Sequence, residues 1–144
     1  MQFIDELIRS GKLSPNKKEE LGDLLTVHDA CYFARYNGIT EEPRHALRSA
    51  GFTLAEADSN GCSATCCGAG GGQIFMDRPS RINVIRLKEL RNTGASQVAV
   101  SCPHCLIMLE SAAAAQNDGS NQSFADISEL IAQRLPEKNS HARG

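Results

Sequence analysis

The chain lacks tryptophan altogether and has only two tyrosines and five phenylalanines among its 144 residues. It also lacks an apolar run approaching the ~20 residues that a membrane helix requires. Charge of one sign is missing too. Fifteen Lys and Arg stand against 17 Asp and Glu, for a net charge of -2. That balance excludes the basic footprint of a nucleic-acid binder and any strong attraction to an anionic membrane surface, so neither nucleic acid nor direct membrane insertion is expected. The opening residues, Met1-Gln2-Phe3-Ile4-Asp5-Glu6, have neither the basic start nor the apolar middle of a secretory signal. A reducing, cytoplasmic setting is the expectation, in which cysteines serve metal or redox chemistry rather than structural disulfides. No internal repeat is visible. At 41% apolar residues, the chain is long enough for one domain with an alanine- and leucine-packed core.

What the chain does have is cysteine, in a pattern. Five of its six cysteines fall as Cys31, then Cys66-Cys67 followed by Gly68, then Cys102-Pro103-His104-Cys105, with 34 residues between Cys31 and Cys66 and 34 between Cys67 and Cys102. A tetrahedral zinc takes four ligands and so does an ordinary four-iron cubane, so five thiols are one more than either needs. Cys62 stands outside the pattern and reads as a spare loop thiol.

Strand and helix signals place these cysteines. A helix is expected over about 2–9, followed by a charged connector around Pro15-Asn16-Lys17-Lys18. Leu24-Leu25-Thr26-Val27 reads as a short buried strand with Cys31 just beyond its end. Thr40-Glu41-Glu42-Pro43 opens a helix, with a capping hydroxyl and acids in the first turn, and Gly51 closes it. Phe52 to Ala57 is a second strand candidate. A helix over about 80–92, carrying Ile82, Val84, Ile85, Leu87 and Leu90, ends at Gly94. Gln97 to Ser101 is a third strand running into Cys102, and residues 106–116 are helical. After a loop at 117–121, Ser123 reads as the N-cap of a last amphipathic helix bearing Phe124, Ile127, Leu130, Ile131 and Leu135.

Strands alternating with helices predict an α/β, Rossmann-like, three-layer domain with a small, mainly parallel sheet. All three cysteine segments follow predicted strands, and ligands of open α/β sheets sit outside the carboxyl ends of the strands. Three distant stretches should therefore meet on one side of the sheet. Cys102 and Cys105 flank a turn opening a helix, whose free amides and positive end favour thiolate. Cys66 and Cys67 are adjacent and should point apart, serving two irons of a spread-out cluster or leaving only one as a ligand. The glycines from Gly68 to Gly72 clear side chains from the approach, so that amides can reach cluster sulfurs.

His28-Asp29-Ala30-Cys31-Tyr32, Cys66-Cys67-Gly68-Ala69-Gly70-Gly71-Gly72 and Cys102-Pro103-His104-Cys105 together resemble the cysteine-rich CCG domain. That domain occurs in heterodisulfide reductase and in the iron-sulfur subunits of glycolate oxidase and anaerobic glycerol-3-phosphate dehydrogenase. Arg35-Tyr36-Asn37-Gly38-Ile39 is similar to the bacterial iron-sulfur oxidoreductase branch. The resemblance implies that Cys31, Cys66, Cys67, Cys102 and Cys105 hold a noncubane [4Fe-4S] cluster for disulfide cleavage or electron transfer. It implies partners of three kinds: a flavin dehydrogenase, an electron-transfer flavoprotein, or a ferredoxin-like domain with cubane clusters. It also implies a position peripheral to a membrane-bound complex. Residues 1–22 are then an N-terminal helix and connector, 23–136 the CCG domain and 137–144 a flexible tail. Family members usually carry two such domains plus cubane clusters, so this chain resembles the C-terminal portion of a larger subunit.

Rival readings stay open at this point. Some domains of the family hold zinc, which would make this an assembly module. Cys102 and Cys105 also resemble the pair of a thiol-disulfide oxidoreductase, although helical sequence follows them where that fold needs strands. The glycine run resembles a phosphate loop, but Gln73 stands at the third glycine position. His28 and His104 read first as packing or hydrogen-bonding residues and second as ligands. Arg78, Arg81, Arg86, Lys88 and Arg91 read as a solvated helix face, with a docking surface as the alternative.

Overall fold

The computed structural model describes residues 1–16, 24–70, 75, 81–116 and 119–136. Its elements run α1 (Gln2–Arg9), β1 (Leu24–Val27), α2 (Cys31–Asn37), α3 (Glu41–Ser49), β2 (Thr53–Leu54), α4 (Ile82–Asn92), β3 (Gln97–Val100), α5 (Pro103–Gln116), β4 (Ser123–Asp126) and α6 (Ile127–Ala132). A 3-10 turn, Gly61–Ser63, lies between β2 and α4.

Four strands form one sheet in the order β2-β1-β3-β4, every pair parallel. Strand β3 lies inside the sheet, between β1 and β4. Its Val98 and Val100 face one layer with Leu90 of α4 and Leu109 of α5. Its Ala99 faces the other, with Leu25, Val27, Ala46, Leu47, Ile127, Leu130 and Ile131. Alternate residues therefore supply opposite cores, as a strand covered on both faces requires. The expected three-layer α/β architecture is the one observed.

The differences are local. Ser123 does not cap a helix; it begins β4, whose Ser123, Phe124, Ala125 and Asp126 pair in register with Gln97 to Val100. The capping role falls to Asp126, whose Oδ1 accepts from the Ser128 amide at 2.8 Å. Phe124 looks helical by its spacing to Ile127 and Ile131, but the free edge of β3 offers main-chain partners that spacing does not reveal. Among the described residues the sheet thus has four strands where three were expected. The second strand is two residues long rather than six. Helix α2 begins at Cys31 itself and stops at Gly38, whose φ of 66° suits a left-handed cap. Helix α5 starts earlier than expected, at Pro103. Thr40 occupies the N-cap of α3 without a side-chain hydrogen bond. Lys17, Lys18, Gly71, Gly72, Gln73, Arg78 and the proposed tail at 137–144 lie outside the described residues.

Candidate metal centre

The three cysteine segments converge. Strands β1 and β3 are neighbours, and the His28 amide continues their pairing by donating to the Ala99 carbonyl at 2.9 Å. The two chains then part, β1 into the turn that places Cys31 at the start of α2, and β3 through Cys102 into α5. Cys105 follows in the first turn of α5, and the Leu106 amide donates to the Cys102 carbonyl at 3.1 Å. Cys66 and Cys67 arrive differently from the simple strand-end picture: β2 ends at Leu54, and eleven intervening residues fold back as a loop before Cys66.

Polar contacts hold that loop. Arg35 of α2 donates to the carbonyls of Cys62 and Ala64. Thr65 and Ser59 both donate to the Glu89 carboxylate, at 2.8 and 2.7 Å. The Gly61 amide donates to Asp29 Oδ2 at 2.7 Å. Gly68, at φ 82°, turns the chain so that its amide donates to Cys66 Sγ at 3.3 Å. A side chain there would meet Ile82 Cβ at 3.4 Å.

The result is a cavity of about 240 Å³ lined by Cys31, Cys66, Cys67, Cys102 and Cys105, with Tyr32, Ala69, Gly70 and His104. All five pattern cysteines are there, and none is in a disulfide. Cys67 and Cys105 are buried, while Cys31, Cys66 and Cys102 are half-buried. Cys62 is exposed and lies elsewhere, its thiol donating to the Ala34 carbonyl at 3.2 Å. Tyr32, which lines the cavity, lies against Tyr36 with ring centroids 5.3 Å apart and planes tilted by 34°.

Sulfur chemistry follows from this crowding. A hydrogen bond from Cys105, opposed by burial and helped by His28 and the Ala69 amide, pulls the Cys67 thiol down. The Cys105 thiol goes up, because it donates to Cys67 and is buried among other sulfurs. Burial first, then the neighbouring Cys67 and Cys31, push the Cys66 thiol up despite the Gly68 amide. Placing several thiolates together is unfavourable without a cation, so a positive metal centre would release the strain by taking the protons' place. His28, Cys67 and Cys105 offer ligand atoms within 4.8 Å of one another.

The charged residues around the site depart furthest from expectation. Arg86 does not belong to a solvated face. It is fully buried, donates from Nε to His28 Nδ1 at 3.1 Å and pairs with Glu89 at 2.8 Å. Arg81 and Lys88 are exposed, as expected of that stretch. The signal was present: Asn83, Arg86, Leu87 and Leu90 recur at helical spacing, and all four are buried. Asp29 and Arg44 form a second buried pair beside Cys31. His28 lies within the site; His104 is exposed at its rim.

An all-parallel α/β domain with a thiol-lined cavity at the carboxyl edge of its sheet defines the class. Residues 25–110 match the family described as the cysteine-rich domain, CCG, and the chain belongs to that family. The chain is 35% identical over 137 residues to a probable iron-sulfur-binding oxidoreductase of Bacillus subtilis, covering 93% of this chain and 19% of that protein. It is 31% identical over 140 residues to an EtfAB:quinone oxidoreductase of Syntrophomonas wolfei, covering 90% and 19% respectively. It is also 31% identical over 137 residues to one subunit of the dihydromethanophenazine:CoB–CoM heterodisulfide reductase of Methanosarcina barkeri, covering 93% and 32%. The chain thus spans 19% to 32% of the length of these redox proteins. No solved structure matches. No helix among the described residues is long and apolar enough to cross a membrane.

Proposed function

We propose that Cys31, Cys66, Cys67, Cys102 and Cys105 hold an iron-sulfur cluster, of noncubane [4Fe-4S] type, and that this domain is the electron-transferring piece of a larger heterodisulfide reductase-like oxidoreductase. The observation that carries the reading is the convergence of five free thiols, from three chain segments, on one cavity. The donor set fits the group: it is all sulfur, partly buried, and one thiol larger than a tetrahedral zinc or an ordinary cubane uses. When bound, the cluster supplies reversible one-electron transfer. The chain's own residues fix its surroundings. Gly68 and Ala69 turn amides toward the sulfurs, Cys105 lies in the first turn of α5, and Tyr32 and His104 line the exposed side of the cavity.

In this reading the electron donor is an electron-transfer flavoprotein or flavin dehydrogenase, and the acceptor is a quinone or disulfide reached through ferredoxin-like clusters; the relatives named as an EtfAB:quinone oxidoreductase and a heterodisulfide reductase support redox partners in general. A cytoplasmic position at the periphery of a membrane-bound complex goes with that role. A zinc-filled assembly module is the second reading, favoured by the compact His28, Cys67 and Cys105 group. The thiol-disulfide exchange reading is weaker, because Cys102 and Cys105 share their cavity with three further thiols. The test is anaerobic mixing of the reconstituted, dithionite-reduced protein with oxidised electron-transfer flavoprotein. Bleaching of the flavin in step with reappearance of the oxidised cluster spectrum supports electron transfer. A colourless protein that leaves the flavin oxidised supports the zinc module.

A further inference from the structure

His28 sits where a metal ligand would be sought, 1% exposed and within 4.8 Å of the Cys67 and Cys105 ligand atoms. Its other partner decides what it does. Arg86 Nε donates to Nδ1 of that ring at 3.1 Å. A guanidinium has donors and no acceptor, so the ring nitrogen facing it must offer a lone pair. The ring proton is then on Nε2, the one N–H the ring can direct at the Cys67 sulfur, whose Sγ lies within 4.8 Å of the ring's ligand nitrogen.

The tether is rigid as well as directional. Arg86 is 0% exposed. Its Nη1 donates to the Ser59 carbonyl at 2.7 Å and to Glu89 Oε2 at 2.8 Å, and its Nη2 reaches the Val27 carbonyl at 3.4 Å. Glu89 is held in turn by the hydroxyls of Ser59 and Thr65. Turning the guanidinium away from His28 would break contacts to strand β1, to the cysteine loop and within α4 together.

We infer that His28 is not a ligand but a fixed N–H donor to the Cys67 sulfur, its tautomer set by buried Arg86, and that it tunes the reduction potential of the centre. Ligation through Nδ1 would cost the Arg86 bond. Ligation through Nε2 would require the ring proton to move to Nδ1, where it would face the N–H of Arg86. A hydrogen bond to a thiolate ligand stabilises the more negative, reduced state and raises the potential. The tuning role rests on the iron-sulfur reading; the tautomer does not.

Three proteins test this: wild type, His28→Gln and His28→Leu. A glutamine amide offers an acceptor toward Arg86 and a donor toward Cys67, and leucine offers neither. Iron content is expected to be equal in all three. The potential should fall to a more negative value in His28→Leu and stay near wild type in His28→Gln. Nitrogen-15 spectra of the reduced, metal-free wild-type protein should show one histidine, absent from the His28→Gln spectrum, with its proton on Nε2. This second measurement stands even if His28→Leu does not fold. Loss of iron from His28→Gln together with His28→Leu, an unchanged potential in His28→Leu, or a proton on Nδ1 would each overturn the inference. A wild-type protein that takes up zinc and no sulfide would instead overturn the cluster reading and the tuning role, leaving the nitrogen spectra to decide the tautomer.

Discussion

Arg44 grips Asp29 with both arms of its guanidinium, Nη1 to Oδ1 at 2.8 Å and Nη2 to Oδ2 at 2.9 Å. Both side chains are buried, and Asp29 lies two residues before Cys31. The same carboxylate accepts from the Gly61 amide, so one ion pair joins α3, the turn carrying Cys31 and the loop leading to Cys66-Cys67. Arg44 also reaches Glu56 and the Thr40 carbonyl. The charge is therefore nearly fully compensated, and it positions cysteines rather than touching them.

Removing one partner of such a pair strands the other. Arg44→Met should cost about 3–5 kcal/mol, because Asp29 would be left buried and unpaired. Arg44→Lys should recover only part, since an ammonium cannot reproduce the two-pronged contact. Urea unfolding of the reduced protein measures both. A loss below about 1 kcal/mol for Arg44→Met would contradict the role given to the pair.

A pH dependence follows from Asp5. Burial pushes this carboxyl up, but hydrogen bonds and charge from Arg9 and His45 outweigh it, and the net shift is downward from the usual 3.8. A lowered folded-state value means that the unfolded state binds the proton more readily. The contribution is present above the unfolded value and is lost as pH falls through the folded one. Asp5→Asn should therefore be less stable than wild type at neutral pH, with the gap closing below about pH 4. Parallel urea titrations at pH 6 and pH 3 on metal-free protein check this. A gap that widens in acid would reverse the assignment.

Gly68 joins backbone geometry to the site. At φ 82°, an alanine adds strain of about 1–2 kcal/mol and a 3.4 Å approach to Ile82. Because the Gly68 amide is the donor to Cys66, Gly68→Ala should release iron to a chelator faster than wild type as well as lower stability. Equal release rates would separate the glycine from the site.

Legibility from sequence divides along a physical line. The α/β class, the buried strands Leu24–Val27 and Gln97–Val100 and the α1 boundaries could be read because apolar period and strand length are local signals. The meeting of Cys31 with Cys102 and Cys105 was legible because parallel topology brings the ends of β1 and β3 together, whereas Cys66 and Cys67 reach the same cavity through a loop of eleven residues after β2. β4 was not, since Phe124 has the right spacing for a helix and only the exposed edge of β3 decides otherwise. Arg44 was hidden for a related reason, and Arg86 showed only its helical spacing to Leu87 and Leu90, not its partner. A charge is read as solvated unless its partner is known, and Asp29 and His28 come from segments 15 and 58 residues away.

Cysteine substitutions separate the site from its neighbour. Cys31→Ser, Cys67→Ser and Cys105→Ser should each impair cluster assembly to a similar extent. Cys62→Ser should leave the iron content unchanged, because that thiol is exposed and bonded to Ala34 away from the cavity. A thiol-disulfide enzyme working through Cys102 and Cys105 would instead keep its activity when Cys31 or Cys67 is replaced.

The most direct measurement is iron, acid-labile sulfide and zinc per chain, on protein purified and reconstituted without oxygen, with the visible spectrum alongside. The expected result is about four irons and four sulfides with no stoichiometric zinc, lost together in Cys31→Ser and Cys67→Ser. One zinc per chain and no sulfide would contradict the cluster and leave an assembly module in its place.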